Sequence, residues 1–238
     1  MEITYIGHSG FLVETERNNY LFDYYRGEIP KLPTDKPLYV FASHKHPDHF
    51  NPVIFDLAKE YAKVTFVLSY DIKVNPFHMR KWDIGEEITE KILSVKADAS
   101  YEQDGFVLQT LKSTDTGVAF LLRTEEGILY HAGDLNWWYW EEATKQENNN
   151  MTANFKREIE KLADISIEAA FVPLDPRLGK YYYLGMEYLM QKAKCRYVFP
   201  MHCFDDHQVG KRFLEEGHGE GCFGKVMEIE KEGQRFLI

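Results

Sequence analysis

The 238-residue chain has little cysteine, a deficit of positive charge and no long apolar run. Its three cysteines, Cys195, Cys203 and Cys222, are odd in number and widely spaced. No Cys-x-x-Cys pair occurs, so reduced thiols are expected rather than a disulfide framework or a thiolate metal site. Lys and Arg number 28 against 38 Asp and Glu, a net charge of -10. Such a surface repels polyanions, so no nucleic-acid partner is expected, although a local cationic pocket remains compatible with a small phosphate. Nowhere do 18 uncharged apolar residues follow one another, and MEITYIGHSG lacks a basic region ahead of an apolar one. No membrane partner is therefore expected, and the expected location is cytoplasmic. With 44% hydrophobic residues, the length suffices for a well-buried core in one large domain or two small ones.

The first half alternates short β-like runs with turns: ITYIGH, FLVET, YLFDYY and PLYVFASH, each rich in β-branched or aromatic residues. NPVIFDLAKEYAK then places Val53, Ile54, Leu57, Ala58 and Tyr61 at helical spacing, with Asn51 as N-cap and Pro52 at the first helical position. VTFVLS resumes the strands, and LSVKA, FVLQTLK, VAFLLRT and ILYHAGD form a second block in which EEG reads as a hairpin turn. WYWEEATKQ and ANFKREIEKLA read as helices separated by a polar loop, KQENNNMT. The strand EAAFVP, a helix near GMEYLMQKAK, the strand YVFPMH and a C-terminal hairpin in VMEIEKEGQRFLI complete the chain. Strands followed by helices, twice over, predict two mixed sheets with helices outside them.

Histidine is also scarce, nine in all, yet three fall in FASHKHPDHF, residues 41–50. His44, His46, Asp48 and His49 follow an apolar strand and precede a helix, so they occupy a connecting loop whose side chains can converge. Imidazole and carboxylate together suit zinc, manganese or iron. A bent loop with these spacings can turn His44 and His46 to one ion and Asp48 and His49 to a neighbour. Asp134 and His202 each end an apolar β run, where loops gather. Taken alone, each reads equally well as an ordinary turn or surface residue.

These residues resemble the metallo-β-lactamase-fold hydrolases, an α/β (α+β) family whose domain is a four-layer αββα sandwich with one or two metals at the sheet edge. His44-x-His46-x-Asp48-His49 is similar to the family's metal signature, YHAGDLN to its Gly-Asp segment and YVFPMHC to its final strand. TYIGHSGFLVE followed by LFDYY resembles the branch containing ascorbate-6-phosphate lactonase. The likeness spans nearly the whole chain and implies a single hydrolase-like domain over residues 1–238. It implies that Asp134 bridges the metals and that His202 completes the second site with Asp48 and His49. One departure stands out. Relatives usually carry a further histidine before a strand like GVAFLL, where this chain reads LKSTDTG. Asp115 is the strong oxygen donor there and would join His44, His46 and Asp134 at the first site, or else is a turn-forming aspartate.

Around this set, His8 is a substrate contact, a brace for a metal ligand, or a hydrogen-bonded structural histidine. Asp23 either orients a ligand imidazole or ends a strand. Trp137, Trp138 and Trp140 wall a pocket or belong to the core. Asn136 is a polar substrate contact, and Arg177 either grips a phosphate or carboxylate or is an exposed turn residue. The resemblance implies a hydrolase in which one or two divalent ions (Zn, alternatively Mn or Fe) provide hydroxide at neutral pH. Asp48, with His8 beside it, would orient the attacking water, and the substrate would be a small ester, lactone or phosphodiester. Two other readings stay open: a metal-binding module without hydrolase activity, and a relative of the family's di-iron oxidoreductases.

Overall fold

The computed structural model describes residues 1–204, 206–222 and 224–238, and the chain divides into two compact units. The first comprises residues 1–96 and 232–238. Its strands are β1 (Glu2–Gly7), β2 (Gly10–Glu14), β3 (Asn19–Phe22), β4 (Leu38–Ala42), β5 (Val64–Ser69), β6 (Ile92–Val95) and, from the chain's end, β14 (Arg235–Leu237). They form one sheet in the order β14-β1-β2-β3-β4-β5-β6. Pairing is antiparallel from β14 to β3 and parallel from β3 to β6.

β3 and β4 are buried along their whole length and β2 as far as Val13, which explains why FLV, YLF and LYVFA read as unbroken apolar runs rather than as alternation. On one face Leu12, Leu21, Val40 and Phe66 pack with Ile54, Phe55, Phe50 and Trp82. Phe55 lies between the rings of Phe66 and Trp82, with centroids 5.0 and 6.0 Å away. Ile54 and Phe55 come from a 3₁₀ turn, Pro52–Asp56, which runs into the short helix α1 (Leu57–Glu60). Asn51 caps it, its side chain accepting from the Val53 amide 3.1 Å away, as the sequence predicts. The regular helix is nevertheless a single turn, and Val53 is exposed. A second helix, α2 (Pro76–Trp82), supplies Trp82.

The second unit, residues 97–231, contains β7 (Ser100–Gln103), β8 (Phe106–Lys112), β9 (Val118–Thr124), β10 (Gly127–His131), β11 (Ser166–Pro173), β12 (Lys194–Met201) and β13 (Lys225–Val226). Their order is β13-β12-β11-β10-β9-β8-β7. Here too an antiparallel meander, β7 to β10, is followed by parallel pairing, β10 to β13. The expected β9–β10 hairpin is present, with Gly127 at φ 134 beside Thr124. Its helices are α3 (Lys145–Ile159), α4 (Leu184–Lys192), packed on β11 and β12, and α5 (Val209–Glu215).

Two sequence expectations are corrected. KQENNNMT is the first half of α3, not a loop, whereas WYWEEATKQ is irregular up to Thr144. Thr144 and Glu147 form a reciprocal capping box that starts the helix. Buried Asn148 binds the Trp140 carbonyl and amide, so a polar residue performs an interior role. The C-terminal hairpin is also absent, because β13 pairs with β12 and β14 with β1, in different sheets. Two mixed sheets with helices, an α/β fold, are as expected. Among the described residues no helix is long and apolar enough to cross a membrane.

Candidate functional site

In the first unit the candidate residues lie beyond the C-terminal end of β4, the position at which open α/β sheets place ligands. Parallel neighbours β3 and β5 fix that end, and the loop turns back so that the amides of His49 and Phe50 both donate to the His46 carbonyl at 3.0 Å. This turn gathers the side chains. His44 and His49 are fully buried, with rings 4.2 Å apart, and His44 Nε2 lies 2.9 Å from His46 Nδ1.

One buried carboxylate organises the loop. Asp23, at the end of β3, accepts from the Ser43 amide at 2.7 Å, from the Ser43 hydroxyl at 2.6 Å and from His49 Nδ1 at 2.7 Å. A carboxylate only accepts, so His49 carries its proton on Nδ1 and the Ser43 hydrogen points to Asp23. The Ser43 oxygen must then accept from His44 Nδ1, 3.0 Å away. In its neutral form each imidazole is thereby held with the Nε2 lone pair available, the form a metal ligand requires.

His8, in the turn between β1 and β2, places Nε2 3.3 Å from Asp48 Oδ2, and His49 Nε2 is 3.9 Å from the same oxygen. Potential ligand atoms of His8, Asp48 and His49 lie within 4.8 Å of one another. Burial alone would raise the Asp48 carboxyl, but the His8 hydrogen bond holds it well below the carboxylate range. His8 and Asp23 both have left-handed backbones, φ 54 and 42, a conformation non-glycine residues rarely adopt unless their surroundings impose it.

In the second unit Asp134, Asp175 and His202 follow the parallel strands β10, β11 and β12, and Asp115 lies between β8 and β9. Asp134 lies beyond β10, in a turn held by three neighbours. His131 Nδ1 accepts from the Gly133 amide at 3.2 Å, Thr114 donates to the Asn136 carbonyl at 2.7 Å, and Trp138 Nε1 donates to the Asp134 carbonyl at 3.0 Å. His202, beyond β12 and at φ 61, points Nε2 to 3.4 Å from Asp134 Oδ1. Its Nδ1 lies 3.1 Å from the buried carboxylate of Asp175, beyond β11. Burial would raise Asp175, but hydrogen bonds from His202 and Arg177 lower it. Asp115 is exposed, with its amide on the Ser113 hydroxyl, and offers an oxygen within 4.8 Å of an Asp134 oxygen. Two carboxylates so close repel each other unless a cation offsets the charge.

Arg177 is half-exposed and its guanidinium is engaged by Asp175. Asn136 is buried, and among the described residues its side-chain amide has no hydrogen-bond partner. A Cβ at Gly185 would collide with its Oδ1. Trp138 and Trp140 stack at 6.4 Å, and Trp137 packs on Phe155 of α3 at 5.8 Å. The sequence reading missed Asp175, Thr114 and Ser43. A PLDPR turn after an apolar strand is the signal that marks Asp175.

Residues 2–150 match the family described as Beta-lactamase superfamily domain. A UPF0173 metal-dependent hydrolase of Bacillus cereus is 26% identical over 96% of this chain and 97% of its own. One from Carboxydothermus hydrogenoformans is 27% identical over 58% of this chain, which spans 64% of that relative. Among solved structures, the metallo-beta-lactamase fold protein YhfI from Bacillus subtilis superposes with a TM-score of 0.64, covering 99% of this chain and 98% of its own at 15% identity. On the match across residues 2–150, this chain belongs to the beta-lactamase superfamily domain family.

Proposed function

We propose that the protein is a metal-dependent hydrolase of a small ester, lactone or phosphodiester. In this reading His44, His46, Asp48, His49, Asp134 and His202 hold one or two divalent ions, and Asp115 supplies the oxygen donor where relatives place a histidine. The observation that carries the reading is the Asp23–Ser43 network, which fixes His44 and His49 with Nε2 unprotonated. Histidines that merely fill a core gain nothing from presenting two such nitrogens on one loop. The donor set of imidazoles and carboxylates fits zinc, manganese or iron. Names borne by the Bacillus cereus and Carboxydothermus relatives support the same class of reaction.

When bound, the ion lowers the pKa of a water to about 7 and polarises the scissile bond. Asp48 would orient that water, and His8, 3.3 Å away, would fix the Asp48 oxygen that does so. Asp23 and Asp175 keep three imidazoles oriented through the cycle. The likeness of GHSGFLVE and LFDYY to the lactonase branch favours a small polar substrate.

The test is a hydrolysis screen over lactones, phosphodiesters and thioesters using metal-loaded protein, before and after chelation. Turnover that disappears with chelator and returns with zinc, manganese or iron is the expected result. A fully loaded sample that turns over none of these classes contradicts the reading.

A further inference from the structure

We infer that Arg177 is a positioning residue that acts through Asp175 on His202, rather than a grip for an anionic substrate. The inference rests on the reading of His202 as a metal ligand. It begins with how the guanidinium is used. Arg177 Nε donates to Asp175 Oδ1 and Oδ2, each at 3.0 Å, and Nη2 donates to Oδ2 at 2.6 Å. The Nε–Nη2 edge, suited to bidentate recognition of a carboxylate or phosphate, is thus spent on a residue of its own chain.

The backbone is built around the same pair. Asp175 caps a 3₁₀ turn, Pro176–Tyr181, by accepting from the Arg177 amide at 2.9 Å. The Leu174 amide donates to the Met201 carbonyl at 2.9 Å, which ties the end of β11 to the end of β12 and brings Asp175 beside His202. Asp175 is fully buried. A buried carboxylate facing an imidazole alone would leave much of its acceptor capacity unmet, and the guanidinium meets it.

Aromatic rings close the assembly. The Arg177 guanidinium lies 4.1 Å from the Phe204 ring centroid and 5.9 Å from that of Trp140. Phe204 meets the His202 ring edge-on at 5.0 Å. Trp138 meets it at 5.5 Å and stacks on Trp140. Arg177 and His202 therefore share one frame of three rings, and a polar link between them runs through Asp175. Arg177 locks the carboxylate, the carboxylate accepts a hydrogen bond from His202 Nδ1–H, and Nε2 is left as the ligand atom facing Asp134.

The experiment compares the parent with Arg177→Met, which keeps an apolar stem against Phe204 and Trp140, and with Arg177→Lys, which keeps charge but not the fork. Histidine ring nitrogens are read by ¹H–¹⁵N correlation in metal-free protein, and zinc affinity is read by titration with zinc alone. In the parent, His202 is expected as one Nδ1–H tautomer. Arg177→Met should convert it to a tautomer mixture, with His49 unchanged, and weaken zinc binding roughly 10–100-fold. Arg177→Lys should restore only part of both, and Asp175→Asn should reproduce the loss at His202. A parent-like His202 signature in Arg177→Met overturns the inference, as does an effect of Asp175→Asn that neither Arg177 variant shares. The tautomer reading needs no substrate, so it stands apart from whether any ester is hydrolysed.

Discussion

Asp23 makes three hydrogen bonds that set two histidines, one directly and one through Ser43, and this hierarchy has separable consequences. Asp23→Asn should disturb both His49 and His44 and lower metal affinity roughly 10–100-fold, whereas Ser43→Ala should disturb His44 and leave His49 in place. Metal titration with histidine ring spectra separates the two. At Asp115 the expected outcome is selective. Asp115→Ala should weaken one of two bound ions and spare the other, and Asp115→His should shift preference toward zinc. Equal binding of both ions by parent and Asp115→Ala would make Asp115 a turn residue. The loop histidines were legible in the sequence because their spacing is local. Asp175 was not, because its meaning depends on the pairing of β11 with β12, which brings it beside His202, 27 positions on.

Among the elements, α3 shows how composition misleads. Its first six residues, KQENNN, include no apolar residue, and the helix depends on its start signal and on Phe155 and Ile159 further along. That signal, Thr144 with Glu147 three residues on, is present in the sequence beside a polar, asparagine-rich run that reads as a loop. Thr144→Ala should cost about 1 kcal/mol, read from the denaturant midpoint, with metal content unchanged. Pro52 and Asn51 were similarly legible as a start, yet the helix they open ends after one turn of regular α geometry. Burial of Ile54 and Phe55 against the sheet, rather than helical periodicity, sets that segment. The inner strands were the most legible elements, since runs buried on both faces are continuous in the sequence.

Each of the two sheets follows one plan of an antiparallel meander succeeded by parallel strands, and within each unit most candidate side chains lie beyond the C-terminal ends of the parallel members, with His8 in the β1–β2 turn and Asp115 between β8 and β9 as exceptions. The same carboxylates link the site to stability. Asp48 and Asp175 are held below their ordinary range when folded, so each contributes stability that is present above the unfolded value of about 3.9. That contribution is lost as pH falls through the folded value. The melting temperature of metal-free protein should therefore drop on acidification below about pH 4, and less steeply in Asp175→Asn. The most direct measurement of the central claim is a count of tightly bound metal ions per chain in the parent, His49→Ala and His202→Ala, all folded by circular dichroism. The expected result is that each variant loses bound metal relative to the parent, because each substitution removes one imidazole nitrogen from the donor set. Parent-level metal in both variants would contradict the assignment of these residues as its ligands.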